Sequence, residues 1–378
     1  MKILQTNKAY YPKVGGIETT ITTLSEGLAN NYGEDVNVLT CSEVKRTRTI
    51  EGVINGVKVK YLPTYNFLSS LPISPGYFKA ITKYSGDILH IHEPFPLADL
   101  SLLLFPELQK KFSRIVVSWH SDIIRQKWVL SFYKKYIFRF LKMVDKIIVS
   151  NPNMIKNSDF LPSFEDKIEV IPIGVNLNWV DPFQDSGVLS DEIQISNKGT
   201  MALCVGRLVY YKGLEYLIDA LNLVPDASLI IIGSGPLKNK LSDRINKLNL
   251  ASRIKILPEV DEKTLHSYYK ACDLFILPSV EKSETYGIVQ IEAMACGKPL
   301  ICTDLGTGTT FINQHEVTGL VVPPRNTKLL AEAIDKLAKN FELRKQLGSR
   351  GRERALKEFT AEKMVAETYK VYQNLLKE

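Results

Sequence analysis

The stretch Ser283-Glu-Thr-Tyr-Gly-Ile-Val-Gln-Ile-Glu-Ala-Met-Ala-Cys-Gly-Lys-Pro299 reads as a loop running into a short helix. Gly297 past the last turn and Pro299 behind it form a stop signal. The helix is expected to start near Gly287, leaving the backbone N–H groups of Ile288 and Val289 without a partner inside it. Such a start attracts phosphate, because unpaired N–H groups and the helix dipole both favour negative charge. Glu284 precedes the helix and Glu292 lies within it, eight positions on. Two carboxylates flanking an anion-binding helix end suit a ligand with hydroxyls on both sides of a phosphate. A nucleotide sugar is such a ligand.

Outward from this stretch, strand-like runs alternate with helical patterns along the whole chain. Lys2–Thr6, Val36–Cys41, Val57–Leu62, Ile88–His92, Ile115–Trp119, Lys146–Ser150 and Ile168–Ile171 are expected strands. Their apolar runs are continuous, as in parallel sheets covered on both faces. The pattern pauses from Pro172 to Gly199 and restarts with Met201–Val205, Leu229–Ile232, Ile254–Ile256, Leu274–Leu277, Pro299–Cys302 and Gly319–Val322. Helices are expected at Ile17–Tyr32, Gly213–Asn222, Lys238–Leu248, Lys263–Ala271, Thr327–Phe359 and Glu362–Lys377. The spacing predicts an α/β chain of two doubly wound, Rossmann-like domains, with a cleft at the carboxyl ends of their strands. The expected domains are residues 1–172 and 173–361.

The bulk numbers agree with this reading. The chain has 378 residues, too many for one ordinary core, and its 45% apolar and 24% charged content is that of a globular protein. No run approaches the ~20 apolar residues of a membrane span, and Met1-Lys-Ile-Leu-Gln-Thr reads as a first strand rather than a signal peptide. The five cysteines are odd in number and lack Cys-x-x-Cys spacing, which fits buried thiols in a reducing cytoplasm. The net charge of +7 is concentrated: residues 108–146 hold ten basic side chains against Asp122 and Asp145, more than the whole surplus. A local basic patch implies an anionic partner.

Several segments could carry chemistry. Gly15 and Gly16 stand immediately before a helix, where the backbone can approach a ligand closely. Arg207 and Lys212 follow the first strand of the second domain, a planar fork and a mobile point charge suited to a pyrophosphate. Gly233-Ser-Gly235 lacks the third glycine of a dinucleotide fingerprint, and no Walker A sequence is present. His120 lies at the carboxyl end of a strand. His90 and His92 are expected on opposite strand faces, hence no metal pair. Asp-x-Asp, one common device for holding a divalent cation against a diphosphate, does not occur.

The segment 127–146 forms a helical wheel with two sides. Lys134, Lys127, Lys142, Lys135 and Arg139 share one arc of about 140°, and Val129, Leu130, Phe132, Tyr133, Tyr136, Ile137, Phe140 and Leu141 fill the other. Such a helix can meet an anionic membrane or pack on its own sheet behind a solvated basic face, and the two are compatible. No nucleic-acid motif is recognisable.

Together these segments resemble the retaining GT-B-fold glycosyltransferases of family 4, most closely bacterial mannosyl- and rhamnosyltransferases of surface polysaccharide synthesis. The resemblance spans nearly the whole chain. It rests on Gly15-Gly16-Ile-Glu18, Ser118-Trp-His120, Val170-Ile-Pro-Ile-Gly-Val175, Gly206-Arg207 with Lys212-Gly213, and Glu284-x7-Glu292 followed by Ala-Met-Ala-Cys-Gly-Lys-Pro. It implies that Arg207 and Lys212 neutralise the donor diphosphate, Glu292 binds the ribose, Glu284 holds sugar hydroxyls, and His120 sits by the reacting carbon. Gly15, Gly16, Gly287, Ile288 and Val289 would meet phosphates or sugar through their backbone, and the Leu257–Asp261 turn would face the base. It also implies a hexose donor, GDP-mannose first, no cofactor and no metal, a glycan or lipid-linked acceptor, and a cytoplasmic enzyme peripheral to the membrane. The last helix, about 362–378, would pack back on the first domain. Thr285 stands where glycine is frequent in the family, and Ile173 where the Asn of Pro-Asn-Gly stands. A rhamnosyl or UDP-sugar donor, an epimerase or phosphorylase on the same architecture, and a non-catalytic nucleotide-sugar binder are the alternatives.

Overall fold

The computed structural model describes residues 1–13, 15–68, 71–122, 130–180 and 199–378. The chain divides into two compact units, Met1–Val175 with Ala361–Glu378, and Asn176–Thr360. Most of the expected linker, residues 181–198, lies outside the described residues.

Unit 1 runs β1 (Lys2–Asn7), α1 (Gly16–Tyr32), β2 (Asp35–Cys41), β3 (Ile50–Ile54), β4 (Val57–Leu62), β5 (Asn66–Leu68), β6 (Leu71–Ile73), α2 (Gly76–Ile81), β7 (Gly86–Glu93), α3 (Pro96–Leu104), β8 (Phe112–Trp119), α4 (Leu130–Met143), β9 (Lys146–Val149), α5 (Pro152–Asn157) and β10 (Ile168–Val170). Its sheet has the order β10-β9-β8-β7-β1-β2-β4-β3. Every neighbouring pair is parallel except β3 with β4. The continuous apolar runs mark the central strands: β1 and β7 are buried along nearly their whole length, as strands covered by helices on both faces must be. The edge strand β3 and the β5–β6 hairpin were not expected. Four of the five β3 residues are exposed, so it carries no apolar run to read.

Unit 2 runs β11 (Thr200–Val205), α6 (Leu214–Asn222), β12 (Ala227–Ile232), α7 (Lys238–Lys247), β13 (Ile254–Leu257), α8 (Glu262–Ala271), β14 (Leu274–Leu277), α9 (Val289–Ala295), β15 (Leu300–Thr303), α10 (Gly308–Ile312), β16 (Gly319–Val322), α11 (Thr327–Lys339) and α12 (Phe341–Glu358). The sheet is wholly parallel, in the order β13-β12-β11-β14-β15-β16. Counted from the first strand of the unit this is 3-2-1-4-5-6, the doubly wound order in which the winding reverses between β11 and β14. All six β12 residues are buried. Each fully buried Leu or Ile there contributes about 1.5–3 kcal/mol.

Two helix expectations are corrected. The single helix expected over Thr327–Phe359 is two helices, α11 and α12. Asn340 leaves the helical conformation and its side chain accepts from the Leu343 N–H at 2.9 Å, capping α12. The helix expected from Gly287 begins at Val289, because Gly287 takes φ 83°.

The last helix, α13 (Ala361–Leu375), belongs to unit 1. Its Met364, Val365, Val371, Tyr372 and Leu375 join the core beside Ile3, Ile21, Leu24 and Leu28. Tyr369 stacks on Tyr32 at 3.9 Å, and Arg114 Nε donates to the Leu375 carbonyl at 2.7 Å. Helix α4 buries Ile137, Phe140 and Leu141, spaced three and four apart, and leaves Lys134, Lys135, Arg139 and Lys142 exposed. Residues 123–129 lie outside the described residues, as do the side chains of 130–133. The basic-helix expectation is therefore answered only from Lys134 onward. No described helix is long and apolar enough to cross a membrane.

Candidate active site

In unit 2 the chemistry gathers where the strand order reverses. β11 ends at Val205 and runs into Gly206, Arg207 and Lys212, and its neighbour β14 ends at Leu277 and leads to Ser279 and Glu284. Lys212 Nζ lies 2.6 Å from Glu284 Oε2, and both side chains are close to nine-tenths buried. The Ser279 hydroxyl donates to the same carboxylate oxygen at 2.9 Å. Burial opposes the Lys212 charge, but the Glu284 carboxylate outweighs it and the amine is held above its ordinary range. Gly206 makes this possible: it takes φ 148°, and a Cβ there would lie 3.2 Å from Lys212 Nζ.

The Glu284 loop is tied down from the β15–α10 turn. The Thr307 hydroxyl donates to the Glu284 carbonyl at 2.8 Å, and the Gly308 N–H to the Thr285 carbonyl at 2.8 Å. Thr303 donates to the Ser279 carbonyl from the end of β15. The loop Gly306–Thr310 thus positions Glu284. Arg207 is exposed and makes no ion pair among the described residues. Past Gly287, the Gln290 N–H donates to the Gly287 carbonyl at 2.9 Å and the Ile291 N–H to the Ile288 carbonyl at 2.8 Å. These short-range bonds leave Val289 at the open start of α9.

Glu292 stands apart from the Lys212–Glu284 pair. The Tyr269 hydroxyl donates to its Oε2 at 2.6 Å, and burial pushes its carboxyl up to about 7 although that bond opposes the rise. Tyr269 closes an aromatic group with Trp179 at 6.3 Å, and Trp179 stacks on His266 at 3.5 Å. Sequence reasoning missed Tyr269, Trp179 and Ser279. None sits in a spacing that sets it apart from core residues. Asp261, in the turn expected to face the base, caps α8 by accepting from the Thr264 N–H at 3.0 Å.

In unit 1 the expected residues fall into two groups. Gly15 and Gly16 open α1, where a Cβ at Gly15 would collide with the Glu18 carboxylate. That glycine lets Glu18 fold back over the helix start, with Lys13 Nζ at 4.0 Å. The second group contains His120. The expectation that His90 and His92 face opposite sides is corrected: residues two apart on a strand share a face, and their rings stack at 4.2 Å. His92 Nδ1 lies 3.2 Å from His120 Nε2, and His92 Nε2 lies 3.0 Å from Gln5 Oε1. His90 bridges the Tyr372 hydroxyl at 2.5 Å and the Ser118 hydroxyl at 2.8 Å. Burial lowers all three imidazoles, His90 to about 3, His120 to about 4 and His92 well below its ordinary value, so all are neutral near pH 7. The adjoining cavity, lined in part by Thr20, His92, Ser118, His120, Ser150 and Thr368, measures about 20 Å³. That is room for roughly one water.

Known proteins match the chain along nearly its whole length. Residues 14–179 match the family model "Glycosyltransferase Family 4", and residues 187–354 match "Glycosyl transferases group 1". The chain is 33% identical to the O-antigen chain mannosyltransferase C of Escherichia coli, covering 100% of this chain and 99% of that one. It is also 33% identical to the D-rhamnosyltransferase WbpZ of Pseudomonas aeruginosa, over 96% and 93% of the two chains. Among solved structures, the sucrose-phosphate synthase of Thermosynechococcus elongatus superposes with a TM-score of 0.77 at 23% identity, over 99% of each chain. With its two Rossmann-like units and full-length relatives, the chain belongs to family 4 of the GT-B-fold glycosyltransferases.

Proposed function

We propose that the enzyme transfers a hexose, mannose from GDP-mannose in the first instance, to a hydroxyl of a glycan or lipid-linked oligosaccharide during assembly of a cell-surface polysaccharide. The observation that carries this reading is the largely buried Lys212–Glu284 pair at the strand-order reversal of unit 2, with Arg207 exposed in the same loop after β11. Ligands of doubly wound sheets bind outside the carboxyl ends of the strands at such a reversal. The names of the two 33%-identical relatives support a mannosyl or rhamnosyl donor and a surface-polysaccharide acceptor. Rhamnose is the second reading, favoured by the Pseudomonas relative.

In this reading Arg207 and Lys212 neutralise the diphosphate, Glu284 orients sugar hydroxyls, Glu292 takes the ribose hydroxyls, and His120 meets the transferred sugar. The backbone at Gly15, Gly16, Gly287, Ile288 and Val289 completes the contacts to phosphate and sugar. The bond from the anomeric carbon to the phosphate oxygen breaks, and one from that carbon to the acceptor oxygen forms on the same face. The acceptor proton passes to the departing phosphate. Fixed cations stabilise the charge that develops on the leaving group, so the chemistry needs neither metal nor cofactor. The exposed Lys134, Lys135, Arg139 and Lys142 hold unit 1 to the anionic cytoplasmic face of the membrane.

The first experiment is a thermal-shift panel of GDP, UDP, dTDP, ADP and NAD with and without EDTA. Stabilisation by one nucleoside diphosphate, unchanged by EDTA, is expected; stabilisation by NAD alone contradicts the reading. With the donor chosen, Arg207→Ala and Lys212→Ala are each expected to slow turnover by ~10²–10³. NMR of the product linkage tests retention, and an inverted anomer would remove the proposed mechanism.

A further inference from the structure

The histidine group of unit 1 carries information that the assigned roles do not use. Gln5 on β1 and His92 on β7 lie on adjacent strands, and both are fully buried. Gln5 turns its amide oxygen, at 3.0 Å, to His92 Nε2. An amide oxygen only accepts, so with the amide turned this way His92 carries its proton on Nε2, and the Gln5 amide nitrogen is left buried without a hydrogen-bond partner among the described residues. A neutral ring has one donor and one acceptor, which leaves His92 Nδ1 bare. His120 Nε2, 3.2 Å away, must then donate to it, and the proton order passes to the second ring. His120 is left with a bare Nδ1, which has no hydrogen-bond partner among the described residues, on a residue that keeps 8% of its surface exposed.

We propose that Gln5, acting through His92, fixes the tautomer of His120 so that its Nδ1 is left bare as a hydrogen-bond acceptor. Gln5 and His92 are positioning residues. His90 holds the His92 ring from its face, and is itself pinned between Ser118 on β8 and Tyr372 on α13. Burial keeps the three rings neutral, which the one-donor, one-acceptor argument requires. The consequence is chemical selectivity. A neutral His120 with a bare Nδ1 takes a hydrogen bond from a hydroxyl and offers none to a phosphate oxygen. It is thereby matched to a sugar hydroxyl rather than to the diphosphate. This consequence rests on the proposed role of His120 at the transferred sugar; the tautomer does not.

The test is therefore made without substrate. The intact protein is labelled with ¹⁵N-histidine, and long-range ¹H–¹⁵N correlations are recorded for its five histidines, with His120 identified by the peaks lost in His120→Asn. In the wild type, His92 and His120 are both expected as Nε2–H tautomers. In Gln5→Met, which removes the amide oxygen at similar volume, His120 is expected to populate Nδ1–H as well. A wild-type His120 protonated on Nδ1, or on both nitrogens near pH 7, overturns the proposal. So does a His120 tautomer unmoved in folded Gln5→Met. If Gln5→Met does not fold, the wild-type spectrum alone decides the proton order. A transferase assay that fails with every hexose donor would remove the sugar role of His120 and leave this spectrum unaffected.

Discussion

Lys212 and Glu284 form a pair whose members cannot be removed one at a time without cost. Each is about nine-tenths buried, so loss of one leaves an uncompensated charge. Lys212→Ala is expected to lower the unfolding free energy by roughly 3–5 kcal/mol. The double variant Lys212→Ala/Glu284→Gln is expected to recover much of that stability and none of the turnover. Denaturant unfolding beside an activity assay checks it, and additive losses in the double variant would mean the two side chains are not coupled. Glu292 makes a second residue-scale case. Its carboxyl is raised to about 7, so the folded protein holds the proton more tightly than the unfolded chain does. The sign for stability follows: the contribution is complete below the ordinary carboxylate range and is lost as pH rises towards 7. In the proposed ribose role the sign is opposite, because the ionised carboxylate accepts from hydroxyls more strongly than the protonated group. Stabilisation by the nucleoside diphosphate is expected to grow from pH 6 to pH 8, and Glu292→Gln is expected to flatten that growth in a thermal-shift series.

Helix α4 illustrates how one element satisfies two demands. Its Ile137, Phe140 and Leu141 are spent on the core of unit 1, so no apolar stripe at those positions is left for lipid. Any membrane affinity of the described part must come from Lys134, Lys135, Arg139 and Lys142. Each basic side chain near an anionic surface contributes about 1 kcal/mol, screened within a Debye length. Binding to vesicles containing anionic lipid is expected to fall steadily as salt rises. The variant Lys134→Glu/Lys135→Glu/Arg139→Glu is expected to abolish it in vesicle co-sedimentation while the fold persists. Salt-insensitive binding would point to apolar insertion instead. The β15–α10 turn is the corresponding device in unit 2. Thr307 and Gly308 hold the loop that carries Glu284.

For the whole molecule, α13 decides how the chain is partitioned. It leaves unit 2 at Thr360 and supplies Met364, Val365, Val371 and Tyr372 to the core of unit 1. Truncation after Thr360 is expected to lose the unit 1 unfolding transition in calorimetry while a transition for unit 2 remains, since unit 1 would expose that apolar surface and orphan His90 Nδ1. A truncated chain with both transitions intact would show the helix to be dispensable. Much of this was legible from local pattern. The continuous apolar runs announced parallel strands because burial on both faces leaves no polar alternation, and β14 and β16 fall on the expected residues, Leu274–Leu277 and Gly319–Val322. Glycines before a helix, and cations after the β11 run, marked the turns that follow β1 and β11. Edge strand β3 escaped because an exposed strand needs no apolar residues, and the break at Asn340 because the helical pattern continues past a cap. The proximity of Lys212 to Glu284, the bond from Tyr269 to Glu292, and the order Gln5–His92–His120 were set by tertiary structure alone. Each joins residues 23 or more positions apart, which become neighbours only through strand order. The sequence by itself determined the elements, since period and punctuation act within a few residues. The tertiary structure decided which charges and ring nitrogens face one another, because that depends on which strands pair.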